Sequence, residues 1–319
     1  MGEADAGAIE SGVAIQPIAE LFGFPPDNNT EAAERHRKNK LCPYNNKVPN
    51  CTKDSVIDPL GVCSIFHGKE MAVICPVRLR EDWMIAGQAA DFFFPAGTAW
   101  TTLLEVRIND REGKSAGNID VVIVAYDASG KITDFGSLEI QTVYISGNLR
   151  RNFFNPVRDD RAGYLAADWS KSRKQHPHPD YLSSSRKRLA PQLIFKGGIL
   201  KAWGKKQAVA VHISFYKTLP KLRTVPREQA DLAWLVYDLV FDSDANRYHL
   251  KLIKTVYTKF SAALKKITRS KPGNIDDFTS ILQGKLEAKL SGTPAVEISD
   301  ISADVPADEP DIIDELENI

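Results

Sequence analysis

Asp120, Glu139 and Gln141 lie in a stretch from Gly117 to Gln141 that reads GNIDVVIVAYDASGKITDFGSLEIQ. Two β-rich runs, 119–126 and 131–144, flank the turn signal Asp127-Ala128-Ser129-Gly130, which predicts a hairpin. With Ser129-Gly130 as a two-residue loop, Ala128 pairs with Lys131 and Asp120 falls opposite Glu139. Strand side chains alternate, so Glu139 and Gln141 share one face and Asp120 joins them there. Directly opposite residues have Cβ atoms roughly 4.5–5.5 Å apart. Two carboxylates that close, with the carbonyl of Ile140, can hold a hard divalent cation such as Mg²⁺. That is the arrangement of metal-assisted phosphodiester hydrolysis. A solvated acidic face is the plainer alternative. Apolar residues on both faces (Val122, Val124, Ile140, Val143, Ile145) argue against it, because unpaired carboxylates in a buried strand are costly and a cation relieves their repulsion.

A second group is set apart by composition. The chain's four cysteines, Cys42, Cys51, Cys63 and Cys75, are separated by eight, eleven and eleven residues. Their segment is rich in Asn and Pro (Pro43, Asn45, Asn46, Pro49, Asn50, Pro59) and has too few apolar residues for its own core. Such clustering points to a four-thiolate metal site, zinc or iron, rather than to disulfides. The absence of a CxxC pair leaves four unrelated buried thiols as the alternative.

The remaining elements must position these groups. Residues 30–37 carry the cap and charge order of a short helix, and 80–94 a helical apolar pattern closed by Pro95-Ala96-Gly97. Residues 100–108 read as a strand carrying Glu105. Residues 188–203 form a helical face interrupted by Gly197-Gly198, and strand patterns follow at 207–219 and 231–242. Residues 247–264 pass from strand to a basic amphipathic helix. The order predicts a mixed sheet flanked by helices, an α/β core. Between them, 148–188 is polar, basic and threaded with aromatics. Arg150, Arg151, Arg158, Lys171, Arg173 and Lys174 suit contacts to phosphate, and Phe153, Phe154, Tyr164, Trp169 and Tyr181 suit base contacts.

The formal net charge is zero, but residues 290–319 hold nine acids and no Lys or Arg. The rest therefore carries 41 basic against 32 acidic residues, which fits a body that meets nucleic acid. The Pro- and acid-rich tail from about residue 292 reads as disordered. An acidic start without an apolar core region, and no run long enough to span a bilayer, predict a cytoplasmic protein with no membrane partner.

Together the four cysteines, Asp91-Phe92-Phe93-Phe94-Pro95 leading to Glu105-Val106-Arg107, Gly117-Asn118-Ile119-Asp120 with Glu139-Ile140-Gln141, and Leu189-Ala190-Pro191-Gln192-Leu193 through Lys196-Gly197-Gly198 to Ala202-Trp203-Gly204-Lys205-Lys206 resemble the NotI-type restriction endonucleases. These are a branch of the PD-(D/E)xK nucleases. The resemblance spans roughly Cys42 to Leu219. It implies a restriction-endonuclease-like mixed sheet flanked by helices, with a small N-terminal four-cysteine metal-binding subdomain. It implies Asp120 and Glu139 as Mg²⁺ ligands, Gln141 in place of the superfamily's usual Lys to orient water or phosphate, and Glu105 as an accessory acid. It also implies structural iron at the cysteines and a bacterial homodimer cutting double-stranded DNA at a GC-rich palindrome with a GGCC-type core. The domain boundaries expected are 1–80 for the cysteine segment, 81–265 for the nuclease core and 266–319 for an extension. Two further readings compete: a non-catalytic, metal-stabilised DNA-binding regulator, and a repair or structure-specific nuclease with the same core.

Overall fold

The structure, a computed structural model, describes residues 16–45, 48–169 and 176–291. The acidic tail read as disordered lies outside the described residues, as do Lys171, Arg173 and Lys174. By internal contacts the chain divides into two units, 1–269 and 270–319. Within the described part of the second lies one helix, Ile275–Leu290.

The apolar runs of the first unit assemble as strands. β1 (Ile18–Leu21), β2 (Val62–His67) and β3 (Glu70–Val73) form a small antiparallel sheet. β4 (Trp100–Asn109), β5 (Ser115–Tyr126), β6 (Ile132–Gln141), β9 (Gln207–His212), β10 (Leu232–Asp242) and β11 (Arg247–Thr258) form the main sheet, in the order β11-β10-β9-β6-β5-β4. β9 runs parallel to both β6 and β10, and the other pairs are antiparallel. Two short strands, β7 (Tyr144–Ser146) and β8 (His178–Asp180), pair separately. The expected α/β sheet flanked by helices is what forms.

Both faces of the sheet are covered. On one, Ile85, Ala89 and Phe92 of the helix Met84–Phe93 pack on Val121, Ile123, Leu138, Ala210 and Leu235. On the other, Leu189, Leu193 and Phe260 pack on Val209, Val211, Trp234 and Val236. Asp120 and Glu139 belong to this second face, because Glu139 pairs with Val209.

Local structure departs from the sequence pattern in three places. The helix expected over 80–94 starts at Met84, because Asp82 and Trp83 adopt positive φ and end a preceding 3₁₀ segment, Pro76–Trp83. The strand expected over 207–219 stops at His212, whose ring accepts from the Ser214 N–H and caps a helical turn, Ile213–Tyr216. Gly197-Gly198 do not break their helix. It runs over residues 181–202, with π-helical turns at Ser184–Leu189 and Leu193–Gly197.

The irregular cysteine segment is tied down by charge. Arg78 is fully buried, with Nε 2.8 Å from Glu20 of β1 and Nη1 2.7 Å from Glu81, and Ser64 of β2 also donates to Glu20. A buried ion of this kind survives only when fully paired. Lys53 donates to the Ile74 carbonyl, and Arg150 forms ion pairs of 2.7 Å with both Asp54 and Asp58.

Candidate active site

The hairpin has the expected register with a different turn. Asp127 N–H donates to the Lys131 carbonyl, leaving Ala128-Ser129-Gly130 as a three-residue loop with Gly130 at φ +80°. That extra loop residue would shift every later pair by one. A bulge compensates: Tyr126 pairs with Ile132, but Ala125 pairs with Asp134, so Thr133 is left over. From there Val121 meets Leu138, the last pair of the ladder, and the next residue on each strand is Asp120 and Glu139, whose carboxyls lie together.

The two carboxylates differ in their partners. Asp120 is half-buried, and its Oδ2 accepts from the Ile140 N–H at 2.8 Å. Glu139 is 6% exposed. Its Oε2 accepts from Lys196, while no donor reaches its buried Oε1. Burial pushes the Glu139 carboxyl up to about 7, the Asp120 carboxylate adds to the rise, and Lys196 opposes it. A buried, unpartnered carboxylate oxygen beside a second carboxylate fits a bound cation. Among the described residues no three His, Cys, Asp or Glu side chains gather as a metal-ligand group. The fit therefore rests on this pair alone.

Gln141 is buried on the same face as Glu139, with its Nε2 donating to the Thr142 carbonyl at 2.6 Å. Glu105 lies in the same cross-strand row, because its neighbours Leu104 and Val106 pair with Val121 and Ile119. It is exposed, and at φ +55° it leaves the extended conformation of its strand. A non-glycine residue held there stores strain of about 1–3 kcal/mol.

Sequence reasoning missed Lys196. Its ammonium lies 2.7 Å from Glu139 Oε2 and 2.7 Å from the Asn118 carbonyl, with its side chain 5% exposed. A signal was there: Leu189, Leu193, Lys196 and Leu200 share one helical stripe, and the other three are buried. A lysine on the buried stripe of a helix needs a partner.

The four cysteines form no disulfide. Cys42, Cys51 and Cys75 line one recess of about 290 Å³, and Cys63 is buried nearby, close enough for its charge to interact with the other three. Burial raises the Cys51 thiol, the Cys42 thiol to about 11 and Cys63 well above its usual value, with neighbouring thiols adding to each rise. Sulfur donors are the kind that suit a soft or borderline metal, but among the described residues these four are not gathered as a metal-ligand group.

Of the basic residues, Arg151 and Arg158 are exposed, Arg158 pairing with Asp159 at 2.8 Å, whereas Arg150 is held by Asp54 and Asp58. Among the described residues no helix is long and apolar enough to cross a membrane.

The family model described as restriction endonuclease NotI matches residues 29–250, a span that takes in the carboxylates, all four cysteines and Lys196. A comparison with curated proteins gives no match.

Proposed function

Since the chain belongs to the NotI restriction endonuclease family and is thereby a type II site-specific deoxyribonuclease, we propose that it makes Mg²⁺-dependent double-strand cuts at a GC-rich palindrome with a GGCC-type core. The observation that carries the metal reading is the buried, unpartnered Glu139 Oε1 beside Asp120. Asp120 and Glu139 would hold the ion. An ion held there would supply charge neutralisation on the scissile phosphate, stabilisation of the leaving oxygen and a more acidic water.

The chain's own groups do the rest. Ile140 N–H fixes the Asp120 carboxylate by donating to Oδ2. Gln141, with one amide N–H held by Thr142, keeps its second N–H and its oxygen to orient the water or a phosphate oxygen. An amide takes up no proton at neutral pH, so the proton passes to Glu105, to a second water or to a phosphate of the DNA.

Arg151, Arg158, Lys171, Arg173 and Lys174 would meet the phosphates; Arg150 could join them only by releasing Asp54 and Asp58. A palindromic site calls for a two-fold homodimer in the bacterial cytoplasm. The cysteines would bind one structural iron or zinc, a reading supported by four unbridged thiols, three of them around one recess and Cys63 buried nearby. Elemental analysis should then give one such ion per chain, and none would remove the claim. Sequencing the ends of digestion products tests the rest. Identical ends within a GC-rich palindrome are expected; random ends or branch-dependent cuts would contradict it.

A further inference from the structure

The carboxylate pair and Gln141 leave a charge problem. A divalent cation shared with two carboxylates leaves no net positive charge at the site, and Gln141 adds none, so the ion's contact with an incoming phosphate is not backed by any surplus of positive charge. We propose that Lys196 supplies it, as a substrate-contacting cation delivered to the strand pair from the covering helix. This inference rests on the nuclease reading of the same site.

The way Lys196 reaches the pair is specific. Its helix approaches the sheet closely because position 197 is glycine: a Cβ there would lie 2.7 Å from the Phe260 ring and 2.9 Å from Gln207 Oε1. Gln207 Nε2 also donates to the Gly197 carbonyl at 3.0 Å, fixing that approach. Lys196 sits on the π-helical turn Leu193–Gly197, a deformation that re-aims side chains and recurs at functional sites. At the strand, Gly117 holds φ +116°, and a Cβ there would come within 3.5 Å of Lys196 Cδ. Gly197 thus lets the helix close on Phe260 and Gln207, and Gly117 lies alongside the lysine stem.

The ammonium has three N–H donors and two named acceptors, the Asn118 carbonyl and Glu139 Oε2. One donor is left for a ligand. The Lys196 side chain is itself only 5% exposed, but its ammonium bonds the carbonyl of the exposed Asn118 and lies beside the half-buried Asp120.

The test measures binding to a duplex that spans the mapped cleavage position, in EDTA, with the scissile phosphate either natural or replaced by a neutral methylphosphonate. Wild-type protein is expected to bind the natural duplex about tenfold more tightly, the loss typical of one charged hydrogen bond. Lys196→Met should show less than a twofold difference. Lys196→Met leaves Glu139 unpartnered, so the same comparison is made in Lys196→Met/Glu139→Gln, which removes both charges together, and in Glu139→Gln alone. The double variant should lose the discrimination and Glu139→Gln should keep it. Equal discrimination in wild type and the Lys196 variants, or none in wild type, would overturn the proposal. A wild-type protein that neither binds nor cuts DNA would instead remove the nuclease reading itself.

Discussion

Lys196 and Glu139, 57 residues apart in sequence, form an ion pair of 2.7 Å between the covering helix and the main sheet, with side chains 5% and 7% exposed. Removing one member of such a pair leaves the other as an uncompensated buried charge. Lys196→Met is therefore expected to destabilise the metal-free protein by about 3 kcal/mol at a pH high enough to ionise Glu139, and by less at lower pH, where Glu139 holds a proton. Lys196→Met/Glu139→Gln should recover most of that loss. Urea denaturation in EDTA measures both, and equal losses in the two variants would show that the pair is not the source.

The raised carboxyl of Glu139 gives a pH dependence. The folded protein holds a proton on Glu139 up to about pH 7, whereas an unfolded chain releases it near the ordinary value of 4.5. Stability of the metal-free protein from this group is thus greatest at low pH and declines as pH rises from 4.5 to about 7. The groups facing it are Asp120, which strengthens the effect, and Lys196, which weakens it. A divalent ion must displace the same proton, so its apparent affinity should fall about tenfold per pH unit below neutrality. Calorimetric Mn²⁺ titrations at two pH values check this, and Glu139→Gln should flatten the slope.

Adjacent arginines are expected to separate by role. Arg150 is part-exposed and tied to Asp54 and Asp58. After allowance for solvent screening, Arg150→Ala should cost about 1 kcal/mol of stability and loosen the cysteine segment. Arg151 is exposed. Arg151→Ala should leave stability unchanged, weaken DNA binding and lower the salt slope by about one. Denaturation and salt-dependent binding, measured on both variants, decide the assignment.

The strand pair was legible in the sequence because alternation and burial fix register wherever a strand is covered. Val121 and Leu138 pair in the expected register, bringing Asp120 and Glu139 together, even though the loop is one residue longer, since the bulge at Thr133 takes up the difference. Turn type was the weaker inference: Asp127 accepts from Ser129 and Lys131 backbone N–H groups and so stabilises the longer loop. Lys196 was not legible as a site residue, because its partner lies on another layer and Gly197-Gly198 reads as a helix end. In place, Gly197 serves close packing against Phe260 and Gln207 instead. The ties of Arg150 were hidden for a similar reason, as its partners lie over 90 residues away.

The central claim is that the Asp120 and Glu139 carboxylates form the cation site of a DNA-cutting centre. Plasmid DNA incubated with wild-type protein and with Asp120→Asn, each in Mg²⁺ and in EDTA, tests it most directly. Discrete fragments from wild type in Mg²⁺ alone, and at least a 10³-fold slower reaction from a folded Asp120→Asn, are the predicted results, the loss being about that for removing one group from a charge-stabilising site. Intact DNA with wild type in Mg²⁺, or Asp120→Asn cutting at the wild-type rate, would contradict the account.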